Sequence, residues 1–145
     1  MIATSLFFTN YNSSKGKEID ENPFAALTFF WKSSDYQVRI EGKLTKTPRE
    51  LSKAYFSTRA RESQLASMAS DQSTPVASRA EIMKNLNKLT EKFKDLNELD
   101  CPENWGGYDL VPDRFIFFIY GAHRINDRLE FKLEKDSWVI QRLQP

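Results

Sequence analysis

Two groups of polar side chains have compositions suited to binding phosphate. The first follows an apolar run at residues 6–11, where the loop 12–17 reads Asn-Ser-Ser-Lys-Gly-Lys and a second strand is expected directly after it. The second contains Tyr55, Arg59 and Ser63, downstream of a predicted helix. Hydroxyl and ammonium groups bind phosphate oxygens, and the planar guanidinium of arginine matches a phosphate monoester. The first group therefore predicts a phosphate-binding loop, whereas the residues of the second, taken alone, favour an exposed helix end with surface arginines.

Capping signals predict the two main helices of the chain. Residues 47–50, Thr-Pro-Arg-Glu, combine an N-cap, a proline at the first helical position and a capping-box glutamate. Residues 78–81, Ser-Arg-Ala-Glu, form a second capping box. Apolar residues at helical spacing follow the second box: Ile82, Leu86, Leu89 and Phe93. Residues 63–70 are predicted to form a short helix or turn, and residues 97–105 a loop.

Period-two alternation and short apolar runs predict the strands. Residues 36–44 alternate between apolar and polar side chains, as in a half-buried antiparallel strand. Residues 24–31 and 115–120 are continuously apolar, which is typical of strands buried on both faces. Residues 129–140 predict a strand pair with a tight connection at 134–136. Strands clustered around a few helices indicate an α+β domain with a barrel or a strongly curved sheet.

The composition excludes several classes of function. At 145 residues, the chain is expected to form one domain, residues 1–145. Its net charge of +1, from 21 basic and 20 acidic residues, produces no global field that would attract nucleic acid or an anionic membrane. Cys101 and His123 are the only cysteine and histidine, which excludes a disulfide framework, a zinc finger and a multi-histidine metal site. A catalytic pair formed by these two residues has no supporting motif.

The sequence contains no targeting signal that we recognise. No segment approaches the roughly 20 apolar residues that span a bilayer. The N-terminus lacks the basic region of a signal peptide, and Thr4 and Ser5 interrupt its apolar run. The expected location is therefore the cytoplasm.

Five segments, in this order and spacing, resemble the pyridoxamine 5'-phosphate oxidase family: residues 6–17, 24–42, 55–73, 105–108 and 124–145. The resemblance spans essentially the whole chain. It implies an α+β, mostly antiparallel, FMN-binding split β-barrel with two main helices. It also implies a homodimer with FMN at the interface, while the N-terminal strands of the family are expected to be absent from this chain.

The resemblance implies roles for individual side chains. The substrate phosphate would be held by Tyr55, Arg59 and Ser63. Arg124 would also bind the substrate, and Arg124 and Asn126 occupy the catalytic positions. The positions that bind FMN are Phe8, Thr9, Ser14, Lys15, Gln37, Gln72, Ser73, Phe118 and Arg128.

Several positions depart from the family pattern. The pattern Arg-x-His-Asp-Arg covers residues 124–128, where Asn126 replaces the histidine. Asparagine donates and accepts hydrogen bonds but does not titrate near neutral pH as imidazole does. Strand alternation would place His123 and Asn126 on opposite faces, so His123 is not expected to compensate. The other departures are Phe8 for Tyr, Ser14 for Arg, Phe118 for Trp, and Ile119 and Tyr120 for Gln-Gly.

The resemblance implies FMN-dependent oxidation of pyridoxamine or pyridoxine 5'-phosphate to pyridoxal 5'-phosphate, with reduction of dioxygen to hydrogen peroxide. A different class stays open, a non-catalytic dimeric relative that binds FMN or pyridoxal phosphate. A third is a split barrel that binds haem or another flavin, with His123 as the candidate haem ligand. No metal, nucleic acid or membrane partner is expected.

Overall fold

Six strands and four α-helices make up the part of the chain that the computed structural model describes, residues 5–145. The strands are β1 (Ser5–Asn10), β2 (Phe24–Trp31), β3 (Tyr36–Lys46), β4 (Trp105–Ile119), β5 (Asp127–Glu134) and β6 (Ser137–Leu143). The helices are α1 (Ser14–Glu21), α2 (Arg49–Thr58), α3 (Arg61–Ala69) and α4 (Arg79–Lys92), and a 3-10 turn covers Ala122–Arg124. None of the helices in this range is both long and apolar enough to cross a membrane.

The strands form one sheet in the order β2-β3-β4-β5-β6, and β1 pairs with β4. The pairs β2–β3, β4–β5 and β5–β6 are antiparallel. The predicted α+β class with a mostly antiparallel sheet is therefore confirmed. Helices α2 and α4 are the two main helices predicted from capping, and α3 is the predicted short helix, whereas α1 was not predicted.

The chain divides into two compact units. The helical unit comprises Leu6–Asn22 and Lys46–Asp109, and it holds most of β1, the four helices and the first residues of β4. The sheet unit comprises Pro23–Thr45 and Leu110–Pro145, and it holds β2, nearly all of β3, the rest of β4, and β5 and β6.

The core of the helical unit is a cluster of buried apolar side chains: Phe56, Leu65, Leu99 and Trp105. Leu86 and Leu89 of α4, and its C-cap residue Phe93, pack against this cluster, as the helical spacing predicts. Ile82, the remaining predicted position, is 44% exposed. Cys101 also packs against the cluster, and burial raises the pKa of its thiol, so it stays a protonated packing group.

Residues 12–17 form a turn and the start of helix α1, so the prediction that they form a loop followed directly by a strand is wrong, while phosphate binding by this segment stays a prediction. Ser13 is buried and caps this helix. Its Oγ donates to the Asn10 carbonyl at 2.7 Å and accepts from the Gly16 N–H at 3.2 Å. Serine is favoured both at N-caps and in polar loops. A capping box would place Glu or Gln at the third helical position, where this chain has Gly16, so the helix start has no sequence signature.

Gly16 allows α1 to lie against the backbone of Tyr11. A Cβ at Gly16 would lie 2.0 Å from the Tyr11 carbonyl oxygen. Helix propensity alone would make Gly16→Ala stabilising by about 1 kcal/mol. Because the overlap is with backbone, we expect Gly16→Ala to lower the free energy of unfolding instead, by about 2 kcal/mol. Urea denaturation measures this change, and Lys17→Ala on the exposed face is the control, expected to change stability by less than about 0.5 kcal/mol. A Gly16→Ala protein as stable as the wild type would contradict this close approach.

The start of α2 differs from the prediction. Pro48 is the N-cap and makes no side-chain capping bond, so the assignment of Thr47 as N-cap is wrong. Thr47 Oγ1 lies 3.0 Å from the hydroxyl of Ser52, and its N–H donates to the Gly107 carbonyl at 2.9 Å. These two contacts replace the capping bond. Ser78 is confirmed as the N-cap of α4, since its Oγ accepts from the Glu81 N–H at 3.3 Å.

Strands β3 and β2 differ in burial. On β3, Val38 and Leu44 are buried and Lys43 is exposed, as the alternation predicts. On β2, Phe24 and Phe30 are 65% and 53% exposed, so the prediction that both faces of residues 24–31 are buried is wrong for the single chain. The reason is position, because β2 is an edge strand whose one partner among the described strands is β3.

The predicted strand pair at the end of the chain is confirmed. Lys135 and Asp136 form a two-residue connection with φ values of 46° and 67°. Positive φ at both central residues is the signature of the hairpin turn that matches strand twist. Glu134 belongs to β5, where it pairs with Ser137.

Charged side chains form a network in the sheet unit. Arg114 Nη1 lies 3.1 Å from Glu41 Oε2, and Arg114 also pairs with Glu130, whose side chain is only 4% exposed. Gln141 donates to the second carboxylate oxygen of Glu130, and Arg39 Nε donates to Glu41 Oε1 at 2.7 Å. Hydrogen bonds from Gln141 and Arg114 lower the pKa of Glu130, and those from Arg39 and Arg114 lower the pKa of Glu41.

Candidate functional site

A cleft of about 850 Å³ opens on the helical unit, and its charged groups are cationic. Lys15 of α1 and Arg59, the C-cap of α2, supply the positive charge. Ser63 of α3 adds a hydroxyl group, whereas the hydroxyls of Thr9 and Ser67, which also line the cleft, donate their protons to Gln72 Oε1 and to the Ser63 carbonyl. Among the described residues, no aspartate or glutamate lines this cleft. The arrangement suits an anion such as a phosphate monoester, which guanidinium and hydroxyl groups bind by charge-assisted hydrogen bonds.

Two contacts hold the guanidinium of Arg59. Its Nη1 donates to Ser67 Oγ at 2.5 Å. Its central carbon lies 4.9 Å from the ring centroid of Trp105, which is within the range of a cation–π contact. The other N–H groups of this guanidinium have no acceptor in the part of the chain that the structure describes, so they are available to a ligand.

Aromatic rings form part of the apolar wall. The ring of Phe8 stacks on that of Tyr55 at 4.0 Å between centroids, with 18° between their planes. Phe8 also stacks on Trp105, at 5.4 Å and 13°. Tyr55 is 45% exposed in the cleft wall. Near-parallel rings of this kind suit contact with the flat ring of an aromatic ligand.

Thr9 and Gln72 are bonded to each other beside the cleft. Thr9 Oγ1 donates to Gln72 Oε1 at 3.1 Å, and the Asn10 N–H donates to the same oxygen at 3.2 Å. With its oxygen engaged twice, Gln72 has its Nε2 group left to donate. Two predicted FMN-binding residues from distant parts of the sequence are therefore neighbours.

Trp105 and Ser67 line the cleft but were not among the predicted site residues. Arg49 holds the loop before Trp105, since its Nη1 donates to the Trp105 carbonyl at 2.8 Å and its Nη2 to the Pro102 carbonyl at 3.0 Å. A signal existed for both residues. Trp105 opens the Trp-Gly-Gly-Tyr segment of the family resemblance, and Ser67 lies one helical turn after Ser63.

Most of the predicted residues in the helical unit lie together. The predicted residues that line the cleft are Phe8, Thr9, Lys15, Tyr55, Arg59, Ser63 and Gln72. Ser14 and Ser73 do not line it. Ser14 is an exposed residue at the start of α1, and Ser73 is exposed with φ of 69°.

Three predicted FMN-binding residues lie in the sheet unit. Phe118 and Arg128 are direct partners on β4 and β5, and Arg128 Nη1 also donates to the Gln144 carbonyl at 3.4 Å. Gln37 lies opposite Phe30 on β2. The ring of Tyr120 contacts both Phe118, at 5.0 Å, and Phe30, at 6.2 Å. Cross-strand pairing and aromatic contact therefore bring these positions near one another.

Asn126 closes a tight turn. Its Oδ1 accepts a hydrogen bond from the Gly121 N–H at 3.1 Å. His123 and Arg124 lie within this turn, with left-handed φ values of 57° and 63°. Strand β5 begins only at Asp127, so the prediction that strand alternation separates His123 from Asn126 is wrong. The turn leaves Arg124 exposed, with no hydrogen-bond partner among the described residues.

Two family models match the chain. Residues 3–92 match the model described as pyridoxamine 5'-phosphate oxidase. Residues 105–145 match the model described as the pyridoxine 5'-phosphate oxidase C-terminal dimerisation region. The chain belongs to the pyridoxamine 5'-phosphate oxidase family. The resemblance of its motifs to this family is thus confirmed.

Curated members of the pyridoxamine 5'-phosphate oxidase family match nearly the whole chain. The pyridoxine/pyridoxamine 5'-phosphate oxidase of Leptospira biflexa is 45% identical over 139 residues, which is 96% of this chain and 65% of that protein. The enzyme of the same name from Coxiella burnetii is 44% identical over 140 residues, 97% of this chain and 70% of that protein. The chain therefore spans about two thirds of the length of these relatives.

Solved structures confirm the predicted split-barrel fold. PhzG from Burkholderia lata, solved in complex with tetrahydrophenazine-1-carboxylic acid, superposes with a TM-score of 0.87 at 24% identity, over 97% of this chain and 68% of that chain. A pyridoxamine 5'-phosphate oxidase-related, FMN binding protein from Nostoc punctiforme superposes with a TM-score of 0.73 at 14% identity, over 98% of this chain and 73% of that chain. At these identities the similarity bears on the fold.

Proposed function

We propose that this family member is an FMN-dependent oxidase that converts pyridoxamine or pyridoxine 5'-phosphate to pyridoxal 5'-phosphate. The observation that carries the proposal is the cleft of the helical unit, where Lys15 and Arg59 supply positive charge and no carboxylate of a described residue lines the wall. The substrates and FMN all carry a phosphate monoester, which is the group that such a wall selects. The oxidases of Leptospira biflexa and Coxiella burnetii, at 45% and 44% identity, support the same reaction.

Arg59, Ser63 and Tyr55 are the residues proposed to bind the substrate phosphate. Arg59 presents the N–H groups that Ser67 does not engage, and its positive charge attracts the phosphate. The hydroxyls of Ser63 and Tyr55 add uncharged donors beside it. The binding energy of this remote group would orient the pyridine ring for reaction.

Three residues of the cleft, Thr9, Lys15 and Gln72, are proposed to bind the phosphate of FMN. Lys15 brings an ammonium group to the cleft, 5.7 Å from the ring centroid of Phe7, and Thr9 and Gln72 bring polar groups. When bound, FMN supplies the redox chemistry, in which a hydride leaves the substrate carbon and dioxygen is reduced to hydrogen peroxide. The protein supplies binding, orientation and charge. Ser14 and Ser73 stay predicted FMN contacts that lie outside this cleft.

In the sheet unit, we propose that Gln37, Phe118 and Arg128 contact the flavin and that Arg124 orients the substrate. Arg128 is held by the Gln144 carbonyl, so its guanidinium has a preferred position. Asn126 would act on the reaction through the turn that carries Arg124, because its side-chain oxygen is engaged by the Gly121 N–H.

We also propose that the working form is a homodimer. Residues 105–145 match the dimerisation region of the family. In the single chain, Phe30, Trp31 and Ile140 of the sheet unit are 53%, 50% and 60% exposed. Burying large apolar side chains against a second copy would remove this surface from water, which stabilises association.

A visible absorption spectrum tests the proposed reaction. The full chain is reconstituted with FMN, freed of oxygen and mixed with pyridoxine 5'-phosphate, and the flavin bands are followed. We expect the bands to bleach, because the substrate reduces the flavin. Persistent flavin colour with saturating substrate would favour the non-catalytic FMN-binding relative, and failure to bind FMN would refute both functions.

Asn126→His is expected to raise turnover by about tenfold, which is less than the roughly hundredfold or more that a fully positioned acid–base side chain contributes. The Nδ1 atom of a neutral histidine can accept the Gly121 hydrogen bond in place of Asn126 Oδ1, so the turn should persist. The Nε2 atom would then restore the imidazole of the family pattern. Steady-state oxygen consumption measures the change. Asn126→Leu, which cannot accept the bond, is the control and should lower turnover. If Asn126→His turned over no faster than the wild type, the proposal that residue 126 takes part in the reaction would be wrong.

A further inference from the structure

We propose that Ser67 is a positioning residue for Arg59 and thereby sets how strongly the cleft prefers a phosphorylated ligand over an unphosphorylated one. The inference rests on the proposed function, because it concerns the arginine assigned there to the substrate phosphate. It assigns a role to a side chain that the family resemblance did not single out.

The direction of the hydrogen bonds at Ser67 is decided by its own helix. Ser67 Oγ donates its single proton to the carbonyl of Ser63, one turn earlier, at 2.9 Å. The remaining lone pairs accept from Arg59 Nη1 at 2.5 Å. A hydroxyl has one proton to donate, so Ser67 can act toward the guanidinium only as an acceptor.

The chemistry of this acceptor suits an anion site. An aspartate or glutamate at the same place would also hold Arg59, but its charge would cancel the positive charge that attracts a phosphate. The neutral oxygen of Ser67 holds the guanidinium without that loss. Together with the Trp105 ring, 4.9 Å from the guanidinium carbon, it orders a long side chain before the ligand arrives. Less conformational entropy is then lost on binding.

Helix α3 itself does not require a hydroxyl at residue 67. Alanine has a higher helix propensity than serine, and a serine hydroxyl bonded to the carbonyl one turn earlier does not strengthen a helix. Ser67→Ala should therefore fold with an unchanged or slightly higher Tm. An unchanged Tm in Ser67→Ala would show that any loss of ligand binding comes from the position of Arg59 and not from a less stable fold.

The test compares two ligands that differ only in phosphate and cannot be oxidised, 4-deoxypyridoxine 5'-phosphate and 4-deoxypyridoxine. Their dissociation constants are measured by calorimetry with the FMN-reconstituted full chain as wild type, Ser67→Ala and Ser67→Thr. We expect Ser67→Ala to weaken binding of the phosphorylated ligand by about tenfold, the scale of one hydrogen bond to a charged group, and to leave the other ligand unchanged. Ser67→Thr keeps the acceptor and should bind like the wild type. Ser57→Ala is the matched control, since Ser57 Oγ donates to the Ala54 carbonyl at 2.8 Å in the same way but on an exposed face without an arginine.

A double-mutant cycle completes the test. If Ser67 acts through Arg59, Ser67→Ala should have no further effect in an Arg59→Ala background. An equal tenfold loss in that background would overturn the inference, as would equal weakening of both ligands or an unchanged preference in Ser67→Ala. A wild-type protein that binds the two ligands equally would instead refute the proposed function, so the two failures are distinguishable.

Discussion

Arg59→Ala is expected to lower kcat/KM for pyridoxine 5'-phosphate by about a hundredfold, which corresponds to about 3 kcal/mol of lost interaction with the phosphate. The physical reason is that, among the described residues, Arg59 supplies the guanidinium of the cleft wall and no carboxylate competes for it. Turnover of unphosphorylated pyridoxine should change much less, because that substrate has no phosphate group for Arg59 to bind. Steady-state kinetics with both substrates measures the difference.

Two variants control this experiment. Arg59→Lys keeps the charge but not the planar fork of donors, so an intermediate loss is expected. Arg79, an exposed residue at the start of α4, can be replaced by alanine without an expected effect on either substrate. If Arg59→Ala retained the wild-type preference for the phosphorylated substrate, the assignment of this cleft to the substrate phosphate would be wrong.

Glu130→Ala is expected to lower the free energy of unfolding by about 2 kcal/mol, since it removes a buried carboxylate that accepts two hydrogen bonds, one of them from a guanidinium. The Glu130 side chain is 4% exposed, and its two carboxylate oxygens accept from Arg114 and Gln141. Without it, Arg114 keeps its pair with Glu41, and the Gln141 amide loses the carboxylate oxygen to which it donates. Urea denaturation monitored by circular dichroism measures the change.

Strand β5 also contains the matched control for Glu130. Glu134 pairs with Lys132 at 3.0 Å, and both side chains are about half exposed, at 51% and 53%. An exposed pair of this kind contributes about 0 to 1 kcal/mol, so Glu134→Ala should have a small effect. If Glu130→Ala and Glu134→Ala lowered the free energy of unfolding equally, the burial of Glu130 would not be the source of its contribution to stability.

The same network predicts how stability depends on pH. Hydrogen bonds from Gln141 and Arg114 hold the pKa of Glu130 below its ordinary value, so the folded protein binds this proton less readily than the unfolded chain. The stabilisation is therefore complete above the ordinary carboxyl pKa of about 4.3 and is lost as the pH falls through the lowered value of the folded state. Glu130→Gln should flatten the acid limb of a plot of unfolding free energy against pH. If the unfolding free energies of the wild type and Glu130→Gln fell in parallel at acid pH, the lowered pKa of Glu130 would not be the cause of the acid dependence.

The elements predicted best from the sequence are those whose signals are local. The Ser78 N-cap, the alternation of β3 and the tight β5–β6 connection depend on neighbouring residues, and the structure confirms them. Helix α1 was missed because Ser13 caps it without a capping-box partner, while Gly16 meets the backbone of Tyr11. Thr47 was misassigned for a related reason, since its hydroxyl lies against that of Ser52 on α2 and its N–H donates to Gly107 on β4.

Burial is less readable from the sequence than secondary structure. The apolar run of β2 was predicted to be buried on both faces, but its large side chains are exposed in the single chain. An apolar run records a preference for leaving water and does not say whether the covering surface belongs to the same chain. Strand order, which placed β2 at the end of the sheet, is a property of the whole fold.

The sequence by itself determined the family, the antiparallel α+β fold and a set of phosphate-binding candidates, because motif spacing and hydrophobic period are carried by residues close together in the chain. Only the tertiary structure decided which candidates meet. It placed Thr9 against Gln72 and Arg59 between Ser67 and Trp105, and it engaged Asn126 with Gly121. These contacts join residues up to 63 positions apart or depend on backbone turns with positive φ. The physical reason is that a side chain's partner is set by packing across elements, whereas sequence patterns report only which groups each element has to offer.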